Sequence, residues 1–246
     1  MRPFTVIACD QRSPQWLAAR CGRLTGSRAE DAFRTTKTGA WSAERKNLKM
    51  QLVLERLTGQ PQERHVGGYQ VRDGIAREPA ARFAYECTTG AIVRQCGFVS
   101  DTELPIGCSP DGVLEAFEGL VSIKCGIAAT HLANVMNVIA LRKATAALHD
   151  QFAVFTGVAV ALADPPVGES LIVPVDHLFQ IRHELYCTGA AWCDYVSYDG
   201  SFPPTLQIAI VRVAREDVAL DQYEPLVSAF LAEVDAEYAR VLELAS

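Results

Sequence analysis

The chain lacks an uninterrupted apolar run long enough to cross a membrane: the longest, over residues 152–163, is broken at Thr156 and Gly157 and stops at Asp164. Its first residues, MRPFTVIACDQRSP, contain no continuous apolar core of the secretory-signal kind. Neither a membrane span nor export is therefore expected, and the expected location is cytoplasmic. A CxxC pair is also missing. The eight cysteines, Cys9, Cys21, Cys87, Cys96, Cys108, Cys125, Cys187 and Cys193, are scattered along the chain. They read as buried thiols of a reducing compartment, with no zinc or iron–sulfur site among them. His131, His149, His177 and His183 form no recognisable metal pair and read as surface or packing residues. There is no internal repeat and no low-complexity linker.

Positive net charge is lacking too. A balance of −6 argues, taken as a total, against a nucleic-acid partner. The charges are unevenly distributed, however. Residues 1–60 hold eleven Arg or Lys against five Asp or Glu, whereas residues 216–246 hold eight acids and one arginine. Two outcomes stay open: a basic surface that meets phosphates with an acidic one elsewhere, or solvated helix faces of no special purpose.

A hydrophobic share of 49% with 21% charged residues describes a soluble globular chain able to build a sizeable core. One α/β domain over residues 1–246 is expected, a small mixed central sheet flanked by helices. Ser13-Pro14 opens a short helix running to Arg20, and Ser27 and Ser42 are further helix openers. Helices follow over 42–57 and 71–88, the second ended by Gly90 and holding Pro79 at a kink or first turn. Short β-type runs then cover 91–99, 112–114 and 120–125, with Gly107, Ser109, Pro110, Asp111 and Gly119 among the turn residues between them. The remainder reads as helices over 128–162 and 175–189, strands over 192–198 and 206–213, and an acidic terminal helix over 215–244.

The chemistry sits in the β-type runs. In a hairpin, Asp111 comes beside alternate residues of the second strand, and 122 and 124 share a face. An acid, a position two before a lysine, and that lysine together describe a nuclease metal site, in which oxygen ligands hold Mg²⁺ (or Mn²⁺) and the lysine orients or deprotonates a water. Taken alone, the pattern also fits an ordinary polar hairpin.

Six ordered blocks add to it: residues 16–27 (WLAARCGRLTGS), 74–85 (GIAREPAARFAY), 109–112 (SPDG), 119–125 (GLVSIKC), 180–189 (QIRHELYCTG) and 194–199 (DYVSYD). Over nearly its whole length the chain resembles the lambda exonuclease or YqaJ-like family, a branch of the PD-(D/E)XK nuclease superfamily. The resemblance implies a restriction-endonuclease-like core and a metal-dependent DNA exonuclease that resects duplex ends 5′ to 3′ for recombination. It implies Glu78 as the upstream acid, Asp111 as the central metal ligand, Ile123 as a backbone-carbonyl ligand and Lys124 as the catalytic lysine. Gln180 would lie over the site, and Arg20, Ser27 and Ser109 would grip a 5′ phosphate. Implied partners are double-stranded DNA ends, further copies of the chain in a homo-oligomeric ring such as a trimer, and a single-strand annealing protein.

Two departures stand out. The family's metal-binding Glu is here Ser122, a neutral hydroxyl and a poor Mg²⁺ ligand. Either a carboxylate has moved, with Glu184 one helical turn after Gln180 as the replacement, or the chain is a weakened or inactive DNA-end-binding protein, natural or deliberately altered. Glu115 and Glu118 sit in the hairpin turn and are expected to face solvent. The interval from Lys124 to Gln180 is also longer than the family pattern, with the excess placed at 138–168 as a helical insertion. Gly126 stands where the family has proline, which would loosen the exit from the strand.

Overall fold

A computed structural model describes residues 2–62, 68–156 and 172–244. The mixed α/β character is present, with the strands divided between two four-stranded sheets. In the first, β1 (Phe4–Ile7), β3 (Phe98–Asp101), β4 (Ile106–Cys108) and β2 (Leu24–Thr25) lie in the order β1-β3-β4-β2. In the second, β5 (Gly112–Leu114), β6 (Gly119–Lys124), β7 (Trp192–Tyr198) and β8 (Ile208–Ala214) follow chain order. Strands β5 and β6 pair antiparallel, β6 and β7 parallel, and β7 and β8 antiparallel.

Seven α-helices surround the sheets among the described residues: α1 (Pro14–Arg20), α2 (Ala29–Phe33), α3 (Ala43–Thr58), α4 (Tyr69–Thr89), α5 (Ala128–Thr156), α6 (Val175–Thr188) and α7 (Leu220–Leu244). Helix α1 starts as expected, with Ser13 accepting the Trp16 N–H at 3.2 Å and Pro14 in the first turn. Helix α6 ends at Gly189, whose φ of 75° suits a residue without a Cβ.

The alternation along the second sheet decides what its faces carry. Val121, Ile123, Val196 and Tyr198 turn to a small core against Ala81 and Tyr85 of α4. Leu120, Cys193, Tyr195, Val211 and Val213 turn to the main core, which α6 shares through Ile181 and Leu185. Helix α6 also packs on β3 and β4 of the first sheet, so it is the element the two sheets have in common.

Several sequence expectations shift. The β-run predicted over 91–99 shortens to β3, because residues before it make only the bridge Arg94↔Val113. Strands β1, β2 and β4 were unforeseen; at four, two and three residues they are too short to display alternation. Ser27 opens no helix: it lies inside a 3₁₀ turn, Gly26–Arg28, and Arg28 occupies the cap position of α2. Ser42 holds the cap position of α3 without a side-chain capping bond. Pro79 sits within α4 past the first turn, exposed on the helix surface. The terminal helix is preceded by a 3₁₀ turn, Arg215–Val218, and by Ala219 with a φ of 44°. All eight cysteines are free, yet only Cys96, Cys108, Cys187 and Cys193 are buried, and Cys87 is exposed. The predicted insertion over 138–168 falls on α5 up to residue 156, and residues 157–168 lie outside the described residues. Among the described residues no helix is long and apolar enough to cross a membrane.

Part of the charge asymmetry is taken up within the fold. Arg45, Lys49 and Arg56 of α3 pair with Glu233, Glu237 and Asp235 of α7, at 2.7, 4.0 and 2.5 Å. Basic N-terminal and acidic C-terminal segments thus meet each other across a helix–helix contact.

A second pair lies deeper. Arg28 reaches Glu55 with two nitrogens, at 2.6 and 3.0 Å, and Glu55 also accepts the backbone N–H of Gly22 and of Gln62. Burial pushes the Glu55 carboxyl upward, but Arg28 and the two backbone donors outweigh it and hold the group below its ordinary value of 4.5. A depressed acid contributes stability above its unfolded value that is lost as pH falls through the folded one. Glu55→Ala takes the bidentate carboxylate away from a buried arginine and is expected to cost about 3–5 kcal/mol at neutral pH, read from urea midpoints. Glu55→Gln is expected to show a flatter loss of stability than the native chain as pH is lowered from neutrality through 4.5.

Candidate functional site

The β5–β6 hairpin pairs Gly112 with Val121, so the residue before it, Asp111, comes beside Ser122. Asp111 Oδ2 accepts the Ile123 N–H at 2.7 Å. A strand residue sends its N–H and C=O to the same edge, so the Ile123 carbonyl leaves β6 on the side where Asp111 stands. Leu120, Ser122 and Lys124 share the face turned to α6. Lys124 Nζ donates to Gln180 Oε1 at 3.2 Å, and Gln180 Nε2 donates to Glu184 Oε1 at 2.8 Å. Four residues from β6, α6 and the hairpin approach thereby converge.

They line one cleft of about 220 Å³, together with Glu78 from α4 and Arg20, Ser27 and Ser109. Of the residues singled out from the sequence, Ser122 alone is not in its lining; it is fully buried beneath. At Glu78 the cleft adjoins a wider cavity of about 940 Å³, also bounded by Arg12 and Asp111.

Glu184 is only 1% exposed. Burial pushes its carboxyl up to about 7, and the neighbouring Asp111 carboxylate adds to the rise. Its Oε2 has no hydrogen-bond partner among the described residues, and neither does Ser122 Oγ. Glu78 is raised for the same two reasons, burial first and Asp111 second, and Arg12 restrains it at 2.9 Å.

The far end of the cleft is built from hydroxyls and a guanidinium. Arg20, 5% exposed, donates to Ser27 Oγ at 2.8 Å and Thr25 Oγ1 at 3.2 Å, and lies 4.1 Å above the Trp16 ring. Trp16 Nε1 in turn donates to Ser109 Oγ at 2.7 Å. Such a planar fork beside hydroxyls suits a phosphate. Gly26 seats this end on α6: a Cβ there would come 3.4 Å from Gln180 Cγ and 3.5 Å from Glu184 Cγ.

Gln11, Arg12, Trp16, Thr25 and Gly26 went unassigned in the sequence reading. Gln11 fixes the hairpin approach by donating to the carbonyls of Cys96 and Pro110, both at 3.0 Å. Arg12 has a φ of 70°, a left-handed conformation unusual for a side-chain-bearing residue. The signal available was a polar run just before the Ser13-Pro14 helix start. The histidines are packing residues where described: His131 and His183 are buried on hydroxyl partners, and His177 stacks on Tyr195 at 5.4 Å. Glu115 and Glu118 face solvent, as expected.

Among the described residues no three His, Cys, Asp or Glu side chains form a ready metal cluster. The donor set is instead two carboxylates, Asp111 and Glu184, with neutral oxygens. Glu184, near Asp111, keeps one oxygen without a hydrogen-bond partner, and an all-oxygen set fits a hard divalent cation.

Residues 15–191 match the model of the YqaJ-like viral recombinase domain. The chain is 31% identical to an alkaline exonuclease from Laribacter hongkongensis, covering 95% of this chain and 98% of that one, with a TM-score of 0.68. A second structure of that exonuclease, in complex with dAMP, matches equally. A phage-related exonuclease from Haemophilus somnus is similar in fold alone, at 13% identity and a TM-score of 0.58, over 89% of this chain and 96% of that one. Among curated proteins none is similar enough to register as a relative.

An acid whose folded value is raised lowers stability as pH climbs from its unfolded value to its folded one, beyond which the loss is complete. In metal-free buffer, stability is expected to fall between pH 4.5 and about 7, because there the unfolded carboxyl ionises freely while the buried Glu184 stays protonated. Glu184→Gln, which keeps an oxygen for Gln180, is expected to remove that fall; urea midpoints at pH 5 and 8 with EDTA present measure it.

Proposed function

The chain belongs to the YqaJ-like viral recombinase family, and from that membership and the cleft just described we propose that it is a metal-dependent DNA exonuclease. It trims duplex ends 5′ to 3′ and exposes a single strand for recombination. One observation carries the reading: a single cleft holds Asp111, Lys124, Gln180 and Glu184 at one end and Arg20, Ser27 and Ser109 at the other.

Asp111, Glu184 and the Ile123 carbonyl would hold Mg²⁺ or Mn²⁺, which when bound supplies charge neutralisation at the scissile phosphate and a more acidic water. Lys124, tethered at its tip by Gln180, orients the attacking water, and its ammonium donates to Gln180, whose amide donates in turn to Glu184. Arg20, Ser27 and Ser109 grip the 5′ phosphate, which fixes the distance from strand end to the bond that is cut. Arg12 neutralises Glu78 at the mouth and so limits repulsion of the incoming backbone. The same reading carries duplex DNA ends as substrate, a homo-oligomeric ring as the working form and a single-strand annealing protein as partner.

A second reading is favoured by one feature, Ser122 in place of an acid: an end-binding protein on the same fold with little or no hydrolysis. Linear duplex DNA incubated with Mg²⁺ or Mn²⁺ separates the two by release of acid-soluble nucleotides. The exonuclease reading expects release, abolished by Glu184→Ala and lowered about 10²–10⁴-fold by Lys124→Ala. A native chain that binds ends but releases nothing, and gains activity as Ser122→Glu, establishes the end-binding alternative.

A further inference from the structure

Lysine reaches its target on a long, flexible stem, so the position of Lys124 Nζ depends on its backbone as much as on Gln180 at its tip. That backbone stands at the end of a strand. The last register pair of β6 is Lys124 with Ser197. Gly126 follows, a residue that by itself leaves the chain loose, and a Cβ built there meets nothing within 4 Å.

The exit is held from the opposite face, by α4. Arg77 Nη2 donates to the Cys125 carbonyl at 2.9 Å and to the Gly126 carbonyl at 3.2 Å. The same guanidinium is fixed by Asp73 one turn earlier, at 2.7 Å, and lies 3.7 Å from Asp199 just beyond β7. Close approach of the helix is allowed by Gly74, where a Cβ would stand 3.3 Å from the Cys125 carbonyl oxygen. Two features of α4 thus meet the residues directly after Lys124, and Glu78, the next residue after Arg77, lines the cleft.

We propose that Arg77 is a positioning residue for Lys124: its guanidinium takes over the restraint that a proline at 126 would supply and keeps the strand end in register with α6. Only its catalytic consequence rests on the exonuclease reading. Nη2 meets the two carbonyls and Asp73 while Nη1 turns toward Asp199, so the guanidinium ties the strand exit both to its own helix and to the end of β7.

Two measurements on the full chain test it. Arg77→Met keeps the stem and removes the fork; Arg77→Lys keeps a single donor group. In Arg77→Met, amide exchange over residues 122–127 is expected to rise about fivefold while that of Trp192–Tyr198 stays unchanged. On linear duplex DNA with Mg²⁺, kcat is expected to fall about 10–100-fold with KM nearly constant, and Arg77→Lys to be intermediate. Unchanged exchange overturns the proposal, as does a rise spread over the whole chain, which would mark general loosening. A local rise with unaltered kcat overturns the positioning role. If the native chain degrades no DNA, the exonuclease reading falls on its own, and the exchange result still decides whether Arg77 holds the strand end.

Discussion

The architecture turns on a carboxylate that cannot reach water. Glu184 lies on α6, the helix both sheets share, packed against β4 and the Gly26 turn, and its second oxygen has no donor among the described residues. Burying a charge without a partner is expensive, so the group either stays protonated or meets a cation. Asp111 across the cleft sharpens that choice, because two neighbouring carboxylates resist ionising together. The same packing that joins the two sheets therefore makes the centre of the cleft receptive to positive charge.

Arg28 and Glu55 answer a similar problem in the opposite way. There the buried acid is met by a two-nitrogen fork and two backbone donors, leaving no unmet oxygen. A fully satisfied pair has no room for a further partner; a buried, partly satisfied acid in the lining of a cleft keeps one oxygen open to it.

Long periodic segments were legible in the sequence: α3, α4, α6 and the β5–β6 hairpin fall close to their expected spans, since each carries a repeat of several turns or a hairpin with turn residues. The four-residue and shorter strands of the first sheet were not, because their pairing is set by distant chain segments and not by local pattern. The lysine-to-glutamine contact was readable only as a consequence of motif order; no local signal joins residues 56 apart. The ion pairs between α3 and α7 show why charge counts mislead: composition states how many charges of each sign exist, and the fold decides which ones cancel. Arg12 escaped notice since nothing in a sequence marks a residue that will adopt a left-handed backbone.

Gly26 shows how an omission can act as a gauge. The 3₁₀ turn that carries Ser27 leans on α6 with no side chain between them, and the spacing leaves room for one carbon at most. The hydroxyl end of the cleft and the carboxylate end are consequently cut to one fixed interval. Bulk added at that spot would act like a shim, lengthening the ruler by which the protein measures from one end of its cleft to the other.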